Sequence, residues 1–325
     1  MYSQPETILD QYELTVNEIT KGRGTYICDT NQGMKILTPF RGSKERAEFL
    51  EKILQYLYEN GFIVEQISRT KDGEVLALDE TETGYLLKDM FAGSECSTKS
   101  PEEMYAAVQM LAKLHMYFET CPIEIPEFIG GEENQLLVLY EKHYRELIKV
   151  KNYVKARKRK NEFEMKFQHE YPYYMEQAGR SVDMLSECAK VSGGCKLCHG
   201  DFNQHNVIHT KNGWQIINFE FMNSNLLMSD LANFLRKMME KNNWNLGLGL
   251  NLIQEYACCR QISKEEYKQL YILLLFPEKF WKISNHYYNT HKAWLSGRNI
   301  EKLDRMKEQE ESRTRLLENL FSIVE

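Results

Sequence analysis

His199-Gly200-Asp201-Phe202-Asn203-Gln204-His205-Asn206 is followed a dozen positions later by Ile216-Ile217-Asn218-Phe219-Glu220. An aspartate with an asparagine five positions on is suited to phosphoryl transfer. That reaction asks little covalent chemistry of a protein and needs a positioned hydroxyl, a cradle for phosphates and cations for the developing charge. Asp201 is the candidate base, accepting a hydrogen bond and then a proton from a substrate hydroxyl. Asn206 carries an amide oxygen, the kind of ligand a hard cation such as Mg²⁺ prefers.

Two upstream residues could complete the set. Lys35, within Gly33-Met34-Lys35-Ile36-Leu37, lies on an expected strand from which its ammonium could meet ATP phosphates. Glu51, on the following helix, is the expected ion-pair partner of Lys35, with Glu48 and Glu45 on nearby turns. Each has a plainer alternative: a solvated strand-edge lysine, and a surface helix glutamate. Asp201 alone could be a loop residue after glycine. In company with His199, Asn206 and the later acidic segment, the catalytic role is the better account.

The elements that must hold these residues follow from pattern. Residues 12–19, 24–29, 34–37, 62–67, 75–78 and 85–90 read as short strands, separated by turns such as Thr30-Asn31-Gln32-Gly33 and Lys71-Asp72-Gly73. Between them Phe49, Ile53, Leu54, Leu57 and Tyr58 recur at helical spacing, with Ser43 as the cap and Asn60-Gly61 as the stop. From Gly93 onward the chain turns mainly helical. Ser100-Pro101-Glu102-Glu103 supplies a cap, a first-turn proline and early acids for a helix through residues 106–118. Gly22-Arg23-Gly24 is read as a hairpin turn, with a phosphate-covering loop as its alternative.

Composition narrows the class. A chain of 325 residues with 42% hydrophobic and 12% aromatic residues can build a sizeable core or two lobes about a cleft. A net charge of −6 argues against general nucleic-acid binding. No apolar run is long enough to span a bilayer, and the first residues lack the pattern of a secretory signal, so a cytosolic protein is expected. The eight cysteines are then expected as free thiols. Cys195-Lys196-Leu197-Cys198-His199 matches a c-type haem attachment pattern, but that chemistry needs export, and a zinc site would need further ligands. Both thiols are read as buried on the strand entering the catalytic loop.

The order and spacing of these pieces resemble the aminoglycoside phosphotransferase and choline kinase group of protein-kinase-like folds, with its H-G-D-x-x-x-x-N loop and following I-D-[FW]-[DE] segment. Leu111-Ala112-Lys113-Leu114-His115, Asp230-Leu231-Ala232, and Phe276-Pro277-Glu278-Lys279-Phe280-Trp281 with Tyr287-Tyr288 carry a narrower resemblance to the spore-coat CotS family of endospore-forming bacteria. The resemblance implies a two-lobed α+β kinase-like fold, with a sheet-rich N-lobe over residues 1–91 and a helical C-lobe over residues 92–325. It also implies ATP in the crevice beside a hinge of Lys88, Asp89, Met90 and Phe91, and a small-molecule hydroxyl as acceptor. Mg²⁺ would be held by Asn206, Asn218 and Glu220. A spore-coat setting, with coat proteins as partners, belongs to the same implication.

Asn218 departs from that group, in which an aspartate binds Mg²⁺ at this position. The amide keeps an oxygen ligand and loses the charge. Glu220 would offset this if the segment is extended, since residues two apart then share a side. A lost charge directly on the metal costs on the order of a few kcal/mol, which is several decades in rate. An active phosphotransferase and a weak or silent kinase-like scaffold therefore both stand at this point. Further residues are read structurally: His115 as a packed histidine and Asp230 first as a helix cap, with bracing of the catalytic loop as its role by resemblance. The basic run from Lys149 to Lys160 is a solvated face, with a cleft wall as its alternative. The aromatics Phe280, Trp281, Tyr287, Tyr288 and Trp294 are core, with a sugar-binding surface as theirs.

Overall fold

The computed structural model describes residues 5–22, 24–130, 135–189, 195–290 and 297–324; Arg23 and Trp294 lie outside them. The chain opens with helix α1 (Pro5–Leu9) and strands β1 (Val16–Lys21), β2 (Tyr26–Thr30) and β3 (Gly33–Pro39). Helix α2 (Lys44–Glu59) leads to β4 (Ile67–Ser68), β5 (Ala77–Leu78) and β6 (Gly84–Asp89). These six strands form one antiparallel sheet in the order β1-β2-β3-β6-β4, with β5 also on β6. Strand β6 is thus interior, with Lys88 registered against Ile36 of β3 on one side and Ile67 of β4 on the other.

The two faces of this sheet pack against different partners. Leu37, Tyr85 and Leu87 join Ile8 and Leu9 of α1 in a small cluster, whereas Leu86 joins the α2 residues Leu50, Ile53, Leu54 and Leu57 in the main core. Because alternate strand residues face opposite ways, Lys35 and Asp89 share the α1 face, and Lys88 takes the face that carries α2.

Beyond β6 come β7 (Gly93–Glu95), α3 (Pro101–Thr120), α4 (Glu127–Gly130), α5 (Gln135–Ala156) and α6 (Glu162–Ala189). Then β8 (Lys196–Cys198), β9 (Val207–Thr210), β10 (Gly213–Ile216) and β11 (Asn223–Asn225) form two small sheets, β10-β9-β7 and β11-β8. Helices α7 (Met228–Lys241), α8 (Leu246–Cys259), α9 (Lys264–Leu275), α10 (Glu278–Asn289) and α11 (Gly297–Val324) complete the chain. The result is the α+β kinase-like fold that the sequence implies: a small antiparallel-sheet region and a larger helical part.

Local expectations fare unevenly. Ser43 caps α2, accepting from the Arg46 N–H, and Ser100 caps α3. Tyr58, counted on the apolar face of α2, is exposed. Residues 62–66 are not a ladder strand; there only Val64 bridges, to Ile216. Tyr12 precedes β1 and is buried in the α1 cluster rather than lying on a strand.

The aromatic tail is core: Phe280 is stacked on Phe167 and Tyr174, and Tyr287 donates to Glu164. Arg157 of the basic run also meets Glu164, at 3.0 Å. Cys198 is buried on β8 as expected, but Cys195 is exposed. No described helix is long and apolar enough to cross a membrane.

Candidate active site

The loop after β8 is held from below by one carboxylate. Asp230, in the first turn of α7, accepts the His199 N–H at 2.6 Å through Oδ2 and the Gly200 N–H at 2.9 Å through Oδ1. It is not the cap of α7: Leu227 occupies that position without a side-chain bond. Oδ2 also meets His115 Nε2 at 3.3 Å, and His115 Nδ1 meets the Tyr256 hydroxyl at 2.7 Å. Burial alone would raise the Asp230 pKa, but the His115 bond, the two histidines and the backbone donors overcome it and hold the group below its ordinary value. Gly200 has φ +81°, and a Cβ there would run into the Phe221 carbonyl. Only glycine makes this turn without strain.

His199 orients Asp201, the candidate base, two residues beyond it. Its Nε2 donates to the Ile217 carbonyl at 3.0 Å, and its Nδ1 accepts the Asp201 N–H at 3.3 Å. That pairing requires the neutral ring, and burial depresses its pKa despite the pull of Asp230. Asn206 Nδ2 then donates to the Asp201 carbonyl at 2.9 Å and to its carboxylate at 3.3 Å. The Asp201 carboxylate is 40% exposed at the end of this scaffold, with Lys237 Nζ 3.5 Å from Oδ1. Burial lowers the Lys237 pKa, with Asp201 opposing.

Asp230, Asn233 and Lys237 lie on one face of α7 at helical spacing and each touches the loop, Asn233 donating to the Phe202 carbonyl at 3.0 Å. Sequence reasoning missed Lys237. The signal was present, a D-x-x-N-x-x-x-K run in a helix already tied to the loop.

The segment expected around a metal is not extended. Asn218 has a left-handed φ of 64°, and Phe219–Phe221 form a 3₁₀ turn. Asn218 and Glu220 nevertheless converge, and the group they surround is Lys88. The Lys88 ammonium donates to Glu65 Oε1 at 3.1 Å, to Asn218 Oδ1 at 2.9 Å and to Glu220 Oε1.

The Asn218 N–H also donates to Glu65 Oε1 at 2.8 Å, and Asn218 Nδ2 donates to Asn206 Oδ1 at 2.8 Å. One hydrogen-bonded chain therefore runs Asp201–Asn206–Asn218–Lys88–Glu65 and Glu220. Burial opposes the charge on Lys88, but Glu65 and Glu220 outweigh it and raise the pKa. Burial, with Glu220's charge added and Lys88 opposing, lifts that of Glu65.

Asn206, Asn218 and Glu220 come together as expected, but they do not fit a divalent ion as they stand. Asn206 Oδ1 is engaged by an amide, and Asn218 Oδ1 and Glu220 Oε1 by an ammonium, whereas Mg²⁺ needs near-octahedral oxygen ligands at about 2.0–2.1 Å. Among the described residues, no group of three His, Cys, Asp or Glu side chains is arranged to hold a metal.

The upstream pair is corrected. Lys35 pairs with Asp89 at 2.7 Å on the α1 face of the sheet, while Glu51 pairs with Arg69 through two bonds of 2.7 and 2.5 Å. The two do not meet, because Glu51 sits on the turn of α2 that faces Arg69. Helix α2 reaches the site instead through Arg46, which donates to the Met222 carbonyl at 2.7 Å. Lys88, expected beside the adenine, points into the ionic cluster. Asp89 braces the strand end, accepting the Gln66 N–H at 3.1 Å. Met90 and Phe91 are half-buried just beyond it.

Comparison with known proteins agrees with this fold. The chain aligns at 22% identity with spore coat protein S of Bacillus subtilis (strain 168), covering 96% of this chain and 92% of that one. Among solved structures, an aminoglycoside phosphotransferase from Alicyclobacillus acidocaldarius superposes with a TM-score of 0.84 at 18% identity, covering 100% of this chain and 97% of that one. A spectinomycin phosphotransferase in complex with ADP and spectinomycin gives 0.64 at 14% identity, covering 99% and 98%. A choline kinase from Cryptosporidium parvum gives 0.51 at 15% identity, covering 98% and 100%. These likenesses carry the fold. The model of the family described as spore coat putative kinase YutH matches residues 5–320, and the chain belongs to that family.

Proposed function

We propose that this protein transfers the terminal phosphoryl group of ATP to a hydroxyl of a small molecule, in the setting of the spore coat, with Asp201 as the base. The observation that carries this is the locked loop. Asp230 fixes two backbone N–H groups, His199 fixes the next, and Asn206 leaves the Asp201 carboxylate aimed outward and exposed. A carboxylate so constrained needs no reorganisation to accept a proton from an incoming hydroxyl.

Lys237 lies 3.5 Å from that carboxylate, within reach of charge developing beside it. The nucleotide would lie between the sheet region, residues 1–91, and the helical part, residues 92–325, with Met90 and Phe91 beside the base. The names of the solved neighbours, which include ADP and AMP-PNP complexes of antibiotic kinases, support a nucleotide in such a crevice.

The test is transfer of label from γ-labelled ATP to a panel of polyols, amino alcohols and aminoglycosides. Asp201→Asn should lower transfer by about 10²–10⁴-fold with ATP affinity little changed. Transfer that survives this change removes Asp201 as the base. A second reading, a kinase-fold coat component that binds nucleotide without turnover, is favoured by the amide at Asn218. ATP binding with no transfer to any acceptor would support it.

A further inference from the structure

The acidic corner of the crevice is filled from inside the protein. Lys88 is rooted on β6, an interior strand hydrogen-bonded on both sides, and its side chain is only 2% exposed. An ammonium has three donors, and here each meets a different oxygen: Glu65, Asn218 and Glu220. The cation is saturated, and displacing it would leave a buried charge without acceptors, which is strongly unfavourable.

The ligand side carries one acid fewer than it would with an aspartate at position 218. Two carboxylates and a neutral amide face Lys88, and the amide at Asn218 is the position where a third acid would favour a divalent ion. Asn218 and Lys88 are complementary features of one arrangement, less negative charge on the ligand side and a monovalent cation in the middle.

We infer that Lys88 is a built-in cation standing where a divalent metal would otherwise be held, so that a nucleotide entering the crevice meets no Mg²⁺ recruited to this position. Its second half rests on the phosphotransfer reading above; its first half, that Lys88 excludes a metal, does not. A further consequence is geometric. Asn218 passes the cation's position to Asn206 and so to Asp201, which ties the base to Lys88 through a continuous run of side chains.

The experiment is Mn²⁺ titration of nucleotide-free protein, followed by the paramagnetic resonance signal of the free ion. Wild type should leave Mn²⁺ free into the millimolar range. Lys88→Met, which strips the ammonium from Glu65 and Glu220, should gain one site per chain binding about tenfold or more tightly. A wild type that takes up one Mn²⁺ at micromolar concentration, and loses it in Glu220→Gln, overturns the inference; so does a folded Lys88→Met that gains no site. If Lys88→Met does not fold, the wild-type titration decides alone. ADP binding on the same samples separates the two claims: no binding with or without metal removes the phosphotransfer reading and leaves the Mn²⁺ result to judge Lys88.

Discussion

Lys88 Nζ stands 3.1 Å from Glu65 Oε1, with the two side chains 2% and 3% exposed. The pair joins two apolar stretches 23 residues apart and, through Asn218, ties the sheet to the segment that follows the catalytic loop. Removing one partner of such a buried pair typically costs about 3–5 kcal/mol, and an apolar pair of similar volume can be nearly neutral. Lys88→Met should therefore destabilise the protein on that scale in urea unfolding. Lys88→Met with Glu65→Leu should recover a large part of the loss. Additive losses in the double variant would mean the two residues are not coupled.

Asp230 makes a prediction of the opposite kind, since it accepts from the backbone. Asp230→Asn keeps the shape but replaces one acceptor oxygen by a donor facing a backbone N–H, which should cost about 2–4 kcal/mol. The damage should be local: amide exchange at His199 and Gly200 should speed up more than exchange in α9. Uniform acceleration across the molecule would argue that Asp230 does not brace this loop in particular.

The neutral His199 gives a pH dependence with a definite sign. Its folded pKa lies below the ordinary 6.5, so the unfolded chain binds the extra proton first as pH falls. The stability it contributes is fully present above 6.5 and is lost as pH falls from there through its folded value. The slope from one such group is at most about 1.4 kcal/mol per pH unit. His199→Gln, whose amide can donate to Ile217 and accept from Asp201, should flatten the urea-midpoint profile in this range. His143, also depressed by burial, adds slope of the same sign. An unchanged profile in His199→Gln would contradict a neutral His199.

Lys237 should act beside Asp201 through charge. Its ammonium lies 3.5 Å from Asp201 Oδ1, within reach of charge that develops there in transfer. Lys237→Met should lower the transfer rate by about 10–100-fold, and Lys237→Arg, which keeps the charge, should recover much of the loss. Stability should change by less than about 1 kcal/mol. A Lys237→Arg variant as slow as Lys237→Met would contradict a role through charge.

The loop that carries Asp201 was legible because its pattern is local: His199, Asp201 and Asn206 sit within eight residues, and the turn at Gly200 fixes their directions. Asn218 and Glu220 were picked out for the same reason, as metal ligands, but the segment coils instead of extending and both meet Lys88. What failed depended on which face of a strand or helix looks into the crevice. Lys35 and Lys88 lie on neighbouring strands one register step apart in parity, and strand parity reverses every side chain with a shift of one. Nothing local to either says which face α1 will cover. A lone lysine in Tyr85-Leu86-Leu87-Lys88 and a lone glutamate in Phe62-Ile63-Val64-Glu65 did signal buried charges in need of partners. Their pairing through Asn218 requires the assembled fold. Glu51 failed for a simpler reason: Arg69 arrives on the same side of α2.

The most direct test of a nucleotide crevice with its own cation is calorimetric titration of ATP into the wild-type protein, once in excess EDTA and once in excess Mg²⁺. Lys88 in the place of the metal predicts binding in both, with dissociation constants within about threefold, a difference of less than about 0.7 kcal/mol. Binding that appears only with Mg²⁺, or in neither buffer, would contradict it.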